Sequence, residues 1–511
     1  MAVAAFVRLG SNAFDPDSFY HLGHAAVYAK RGPFYAEFPW LAYSLVGRYG
    51  GDIAYGFHLL LAPVTLIADR ILGIRIAAIG GLALLLVMLY LVLRRHHLAY
   101  SALWPFGIVL LSPAMLGVLQ MTRPHVLTTG LAVALVSFML RGRPRAVLFT
   151  SFAIAFIHLN ISPIIPVLAV AVLVVKRLTE RQWEWLKLAA ATGGWMLGWA
   201  CRPNPLGVAK LEYVQVVMHA AARQQGLPLI FGQEWQPLDL SATLVRYSSF
   251  LFIWVLFALA FAASEFSRRR LPSERRSLLW SSLLLSAVFF AFTLTDTRRG
   301  MTLWAAFAGV FVAAAFDGLL LSERAQRGSR RRLFRALALV VLAAFALRAV
   351  NALDEIVLRP TWVSDPPDRA RAAAEWLSEN TPEVSVVLNV NWWDFPELFL
   401  WNTHNRFVGG LDPIFQYAYD PALYWKVHHL QVGDALPFTC GSETCSPAEF
   451  KAIPDVLQQD FGTNFVVLDT ERNADLYQHL RGADEFQLCV EDRKMAVFRL
   501  AAPSPQPVSV P

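Results

Sequence analysis

Long apolar runs, separated by short basic clusters, fill the chain up to residue 352. A hydrocarbon core of about 30 Å is crossed by about 20 helical residues at 1.5 Å each. Runs at or near that length fall at 75–93, 102–121, 125–140, 146–158, 161–175, 188–201, 248–266, 277–295, 301–320 and 336–352. Several are short, and 146–175 admits one bent helix, but "NISP" at 160–163 and Pro166 predict a break. The pattern predicts a polytopic α-helical membrane protein of about 10–11 transmembrane helices.

Past residue 352 the periodicity changes. Residues 361–500 mix helical and alternating patterns: "RARAAAEWLSEN" and "SPAEFKAIPDVLQQDFG" predict helices, while "VSVVLNV", "TNFVVLDT" and "MAVFRL" predict strands. That stretch is long enough for an α/β domain of its own. A Pro-rich tail, 501–511, follows.

Composition agrees with a membrane protein: 56% of residues are hydrophobic, 16% are charged, and the mean hydropathy is +0.43, where soluble domains carry about 25% charged residues. The net charge of +7 does not imply a nucleic-acid partner, because the basic residues sit between spans, as in Arg94-Arg95, "RGRPR" (141–145), "KRLTERQWEWLK" (176–187), "SRRRLPSERR" (267–276) and "SERAQRGSRRRLFR" (322–335). Successive basic loops are always separated by an even number of spans, so one assignment places all five in the cytoplasm. Those loops carry 20 Lys and Arg in 49 residues; the opposite loops (69–75, 121–125, 158–161, 202–247, 296–300) carry 9 in 67. This is the positive-inside bias.

The same parity decides 52–68, "DIAYGFHLLLAPVTLIA". As a span it would put the first loop in the cytoplasm; with Asp52, Tyr55 and His58 on one face, it reads as an interfacial helix. Residues 10–74 then form one extracytoplasmic segment. "MAVAAFV" is too short to cross and is no secretory signal, so residues 1–74 are expected to be a shortened first helix plus the first extracytoplasmic loop, and 75–352 the transmembrane domain. The 361–500 domain falls outside by parity, where Cys440 and Cys445 of "TCGSETC" are expected to pair.

Ionisable chemistry gathers on that outer side. "FDPDSFYHLGHA" supplies Asp15, Asp17, His21 and His24; "MTRPHV" supplies Arg123 and His125; "FIHLNISP" supplies His158 and Asn160. "CRPNPLG" supplies Arg202 and Asn204, "GQEWQPLDL" Glu234 and Trp235, and "TDTRRG" Asp296, Arg298 and Arg299. Single charges at span ends are often snorkelling anchors, but carboxylates, histidines and arginines converging on one face suit group transfer from a lipid phosphate. Arginines bind phosphate through planar fork contacts, a carboxylate deprotonates an acceptor hydroxyl, and neighbouring carboxylates such as Asp15 and Asp17 suit a divalent ion, Mg or Mn, if one is used. His21 and His24, at i and i+3, also have metal-sharing spacing. Asp17 or Ser18 would equally serve as a helix N-cap, and Trp392 and Trp393 of "NWWDFPE" as sugar-stacking platforms or core.

"DPDSFYHLGHAAVYAKRGPF", "CRPNPLG…QEWQPLDL" and "NVNWWDFPELFLW…RFVGGLDPIFQY" resemble the C-type glycosyltransferase superfamily (GT-C), in a bacterial branch with a C-terminal extracytoplasmic domain. The resemblance implies an inner-membrane enzyme with a periplasmic site. It implies transfer of a sugar from a polyprenyl-phosphate donor to a lipid, glycan or protein hydroxyl, with no required cofactor or with a divalent cation. Asp17 becomes the expected base and Asp15 its helper or a metal ligand; His21, His24, Arg123, His125, Asn204, Glu234, Arg298 and Arg299 become expected substrate contacts. A transporter or flippase would place charges within spans or pair broken helices in symmetric halves, which this sequence lacks. A non-catalytic scaffold would leave the loop carboxylates without a use.

Overall fold

The computed structural model describes residues 15–110, 117, 121–266, 272–320, 339, 343, 346–348, 350–351 and 365–501. The expected shortened first helix, part of the span at 102–121 (111–116 and 118–120), most of the span at 336–352, the basic loop at 322–335 and nearly all of the tail lie outside them.

The apolar runs become helices. The described helices of the membrane region include α1 (Pro16–Arg31), α2 (Tyr55–Leu61), α3 (Arg70–Arg95), α4 (Pro124–Leu140), α5 (Pro144–Ile157), α6 (Ile164–Glu180), α7 (Trp185–Ala200), α8 (Pro205–Tyr213), α9 (His219–Gln224), α10 (Ser248–Phe266), α11 (Ser273–Thr295) and α12 (Gly300–Leu320). Among the described residues, four helical stretches are long and apolar enough to cross a membrane: Arg70–Arg95, Leu159–Glu180, Ser273–Thr295 and Gly300–Gly318. The predicted break in 146–175 is present, since His158 is extended between α5 and a 3-10 turn at Leu159–Ile161. Residues 69–75, read above as a loop, are instead the start of α3. Asp69 accepts hydrogen bonds from the amides of Ile71 and Leu72, satisfying two free donors of a helix start.

The helices pack around α12, whose aromatic and small side chains (Trp304, Phe307, Phe311, Ala313, Ala314) are almost fully buried. On α3, by contrast, Leu84, Val87 and Leu91 stay exposed, an apolar surface suited to lipid. α5 and α7 approach closely at Gly194 and Gly198, four residues apart. A β-carbon at these positions would lie 2.2 Å and 2.6 Å from the carbonyl oxygens of Leu148 and Phe152, so only glycine permits this approach. At the basic end, Lys187 and Lys176 donate to the Met139 and Leu140 carbonyls at the end of α4, with Glu184 between the two ammoniums.

The C-terminal residues form a five-stranded sheet of order β2-β1-β5-β7-β6, from β1 (Val386–Asn389), β2 (Arg406–Phe407), β5 (Phe465–Asp469), β6 (Phe486–Asp492) and β7 (Met495–Leu500). β2, β1 and β5 are parallel, while β7 runs antiparallel to β5 and β6. The expected helix over 446–462 is broken. Pro447 opens a 3-10 turn, β4 (Lys451–Ala452) pairs with β3 (Phe438–Thr439), and a new helical turn starts at Ile453-Pro454. Each proline lacks the amide a continuous helix would need and fits only a first turn. Cys440 and Cys445 are joined in a disulfide.

The first segment is stitched to this domain. Leu41 bridges Phe407 in parallel, with hydrogen bonds from Phe407 N to Trp40 O and from Ala42 N to Phe407 O. α1 packs on the Phe395–Trp401 helix, where Gly23 lies under the Phe399 ring. The 52–68 segment gives only α2 and a 3-10 turn at Ala62–Leu66, too short to cross a bilayer. Its polar face turns inward: His58 is 0% exposed, whereas Leu60 and Leu66 face outward.

Candidate active site

α1 begins at Pro16, whose fixed φ suits a first helical position, and ends at Gly32, where φ is +93°. Neither Asp17 nor Ser18 is therefore an N-cap. Asp15 holds the cap position without capping; its carboxylate accepts both Nε (2.5 Å) and Nη2 of Arg123. The same Nη2 lies 3.1 Å from Asp17. Arg123, just before Pro124 opens α4, thus stands between the two carboxylates and supplies the positive charge there. Ser18 accepts the Thr122 amide.

Asp15 is buried, while the Asp17 side chain is 35% exposed. Desolvation pushes the Asp17 carboxyl up to about 6; Arg123 opposes this, and Asp15 and Glu234 add to it. Glu234 and Arg299 also act electrostatically on Asp17, so the 15–17, 234 and 299 regions lie near one another.

The second wall comes from the 202–247 segment and the Asp296–Gly300 turn. Thr297 Oγ1 donates to the Glu234 carbonyl (2.5 Å) and Arg298 N to Gln236 O (3.0 Å). Arg299 then lies 3.5 Å from Glu234 and 3.6 Å over the Trp235 ring. Burial lowers the Arg299 pKa, opposed by Glu234. Arg298 makes its backbone contact here, and its Nε is buried without a hydrogen-bond partner. The C-terminal domain closes this wall: Trp392 donates to Ile230 O (3.0 Å), so it anchors the loop rather than offering a free sugar platform. Asp412, which caps the Pro413–Tyr417 helix, interacts with Arg299 and is pushed by burial up to about 7.

A third wall is α8, the π-turn Val214–Met218 and α9. Glu212, Gln215 and His219 recur along one side, and both Glu212 oxygens, Gln215 Oε1 and His219 Nε2 are buried without hydrogen-bond partners. Burial raises Glu212 to about 7, opposed by Arg202 and Arg299, and lowers His219 to about 4. The His219 ring touches Phe231 and Trp235, each with centroids 4.2 Å away. Orphaned buried polar atoms are costly unless something bonds them, and π-turns mark functional positions in many helices.

Other expected contacts are committed to structure. Asn204, in the left-handed region at φ +52°, accepts from Gly207 N and donates to Tyr49 O. Arg202 is buried and donates to the carbonyls of Gly198, Asp52, Ile53, Ala155 and Phe156, so it is a clamp and not a snorkelling anchor. His125 lies in the first turn of α4, two residues from Arg123. His21 and His24 are buried; His21 Nδ1 is 2.7 Å from His58 Nε2 and His24 Nδ1 is 3.0 Å from Tyr20 OH. The ligand atoms of His24, Asp52 and His58 lie within 4.8 Å of one another. Hydrogen bonds already occupy His58, and the two rings stack at 4.4 Å, a hydrogen-bonded network and not an array around a central point.

No protein-family model and no curated protein sequence matches the chain. Solved structures match it along its whole length. ArnT from Cupriavidus metallidurans bound to undecaprenyl phosphate superposes with a TM-score of 0.59 at 15% identity, covering 99% of this chain and 98% of that one. The apo state of ArnT from the same organism gives 0.57 at 14% identity, covering 97% and 96%.

Proposed function

From an integral membrane chain with the fold of the GT-C glycosyltransferase ArnT, we propose a sugar transfer from a polyprenyl-phosphate donor to an acceptor hydroxyl, with Asp17 as base. The observation that carries the reading is the partly exposed Asp17 near Arg123, Glu234 and Arg299, in a chain with the fold of a protein solved with undecaprenyl phosphate bound. Asp17 takes the hydroxyl proton, the hydroxyl oxygen bonds to the sugar's anomeric carbon, and the bond from that carbon to the phosphate oxygen breaks. The polyprenyl phosphate leaves with the electron pair.

Arg123 is committed to Asp15, so Arg299 and Arg298 are the guanidiniums with donor capacity for the phosphate. The unpartnered edge of Glu212, Gln215 and His219, with Trp235 beside it, suits sugar hydroxyls and a sugar face. The cleft opens on the periplasmic side of the inner membrane, opposite the basic loops. The acceptor is a lipid, glycan or protein. Because a guanidinium already bridges Asp15 and Asp17, we expect transfer to continue in excess EDTA; complete loss restored by Mg or Mn would assign the carboxylates to a metal.

The direct test is Asp17→Asn in the full chain, assayed with a panel of undecaprenyl-phosphate sugars. Turnover should fall by about 100- to 10,000-fold, the scale of a positioned base, with undecaprenyl phosphate still bound. Wild-type turnover would remove Asp17 from the reaction.

A further inference from the structure

We propose that His21 presents an unprotonated Nε2 to the cleft as a hydrogen-bond acceptor for a substrate hydroxyl, its tautomer fixed by His58 and Asp52. The substrate's identity rests on the transfer reading above; the tautomer does not.

Asp17 and His21 are four residues apart on α1 and so share a face. Behind His21 runs a chain of short contacts: His21 Nδ1 is 2.7 Å from His58 Nε2, and His58 Nδ1 is 2.6 Å from Asp52 Oδ2. A carboxylate only accepts, so the proton in the second gap belongs to His58 Nδ1. With His58 holding a single proton as part of this proposal, its Nε2 is bare and accepts from His21 Nδ1–H. The lone pair of His21 is left on Nε2, at the open end of the chain. His21 is 7% exposed and His58 0%, which agrees with that direction.

The far end is immobile. Asp52 accepts from Ala54 N (2.8 Å) and Tyr28 OH (2.9 Å), and Arg202 grips the Asp52 and Ile53 carbonyls. The other titratable groups around the chain are His24, stacked on His58 and bonded to Tyr20, and Arg123 and His158, which act electrostatically on His21. An imidazole oriented by a second hydrogen-bonding partner is the usual way to fix which nitrogen reacts. His58 and Asp52 are thus positioning residues, acting through His21.

The test uses the full-length chain with 15N-labelled histidine, the His21 signal being assigned by its loss in His21→Gln. His21 should carry its proton on Nδ1. In Asp52→Asn the amide can donate to His58, the chain reverses, and the proton should move to His21 Nε2. A protonated Nε2 in the wild type, or an unchanged tautomer in Asp52→Asn, overturns the proposal. If that variant does not fold, the wild-type tautomer and a chemical probe decide. Diethyl pyrocarbonate should modify His21 at Nε2, and undecaprenyl phosphate at about ten times its Kd should slow this about tenfold, in proportion to the unoccupied fraction. Undiminished modification with the lipid demonstrably bound places His21 outside the cleft and overturns the proposal. Failure of undecaprenyl phosphate to bind at all sinks the lipid-transfer reading, and the tautomer then still decides whether His21 is held as proposed.

Discussion

Asp17 and Asp15 are two residues apart and meet one guanidinium, yet their surroundings give them different work. Asp15 is buried in a bidentate pair that engages both of its oxygens. Asp17 keeps an open side, and desolvation lifts it to about 6, high enough for useful basicity and low enough to be ionised at neutral pH. A base works deprotonated, so donor-saturated turnover should fall tenfold per pH unit below about 6 and level off above it. Arg123→Gln, which removes the charge that opposes the rise, should move that limb to higher pH. A flat profile between pH 5 and 8 would place the titrating base elsewhere. The sequence points to Asp15, Asp17 and Arg123 because charges at span ends are conspicuous. It gives no sign that Arg123 joins the two, since the partners lie more than a hundred residues apart. Asp412 is still more remote. Glu212, Gln215 and His219 leave a fainter trace, three polar residues on one side of a mostly apolar stretch.

Helix existence is legible because apolar runs of membrane length are rare outside spans, and α3, α11 and α12 lie where the pattern puts them. Boundaries and breaks depend on single residues: Asp69 extends α3 backwards, and Pro447 and Pro454 divide a segment whose periodicity reads as one helix. The joining of α2, α5 and the start of α8 is not legible at all, because it rests on Arg202 reaching backbone carbonyls, which have no sequence signature. Arg202→Lys retains the charge and loses the planar fork. It should cost on the order of 3 kcal/mol, measured as a clearly lower unfolding midpoint in detergent, whereas Arg298→Lys should leave the midpoint unchanged. Gly194→Val should separate α5 from α7, with a comparable loss of stability, since its side chain would meet the Leu148 carbonyl. Equal midpoints for all three variants would mean that these contacts do not hold the bundle.

For the whole molecule, the described basic residues Arg141, Lys176, Lys187 and Arg275 are held in ion pairs with Glu274, Glu180, Glu184 and Asp317, while the C-terminal domain joins the first segment and the loop around Ile230. Single cysteines introduced at Glu443 and Arg143 in a background lacking Cys201 and Cys489 test the orientation: an impermeant thiol reagent applied to intact cells should reach the first and not the second. The reverse pattern would invert the topology. The pairing of Leu41 with Phe407 has a consequence for biosynthesis. A chain emerging from the ribosome makes residue 41 early and residue 407 only after every span has been threaded. Until then α1 lacks the Phe395–Trp401 helix it rests on, and the loop around Ile230 lacks Trp392. Domains made in order usually fold in order, but here the first segment must wait for the last. A nascent or prematurely stopped chain can therefore occupy the membrane without a finished cleft, and under the proposed function it would not yet be a working transferase.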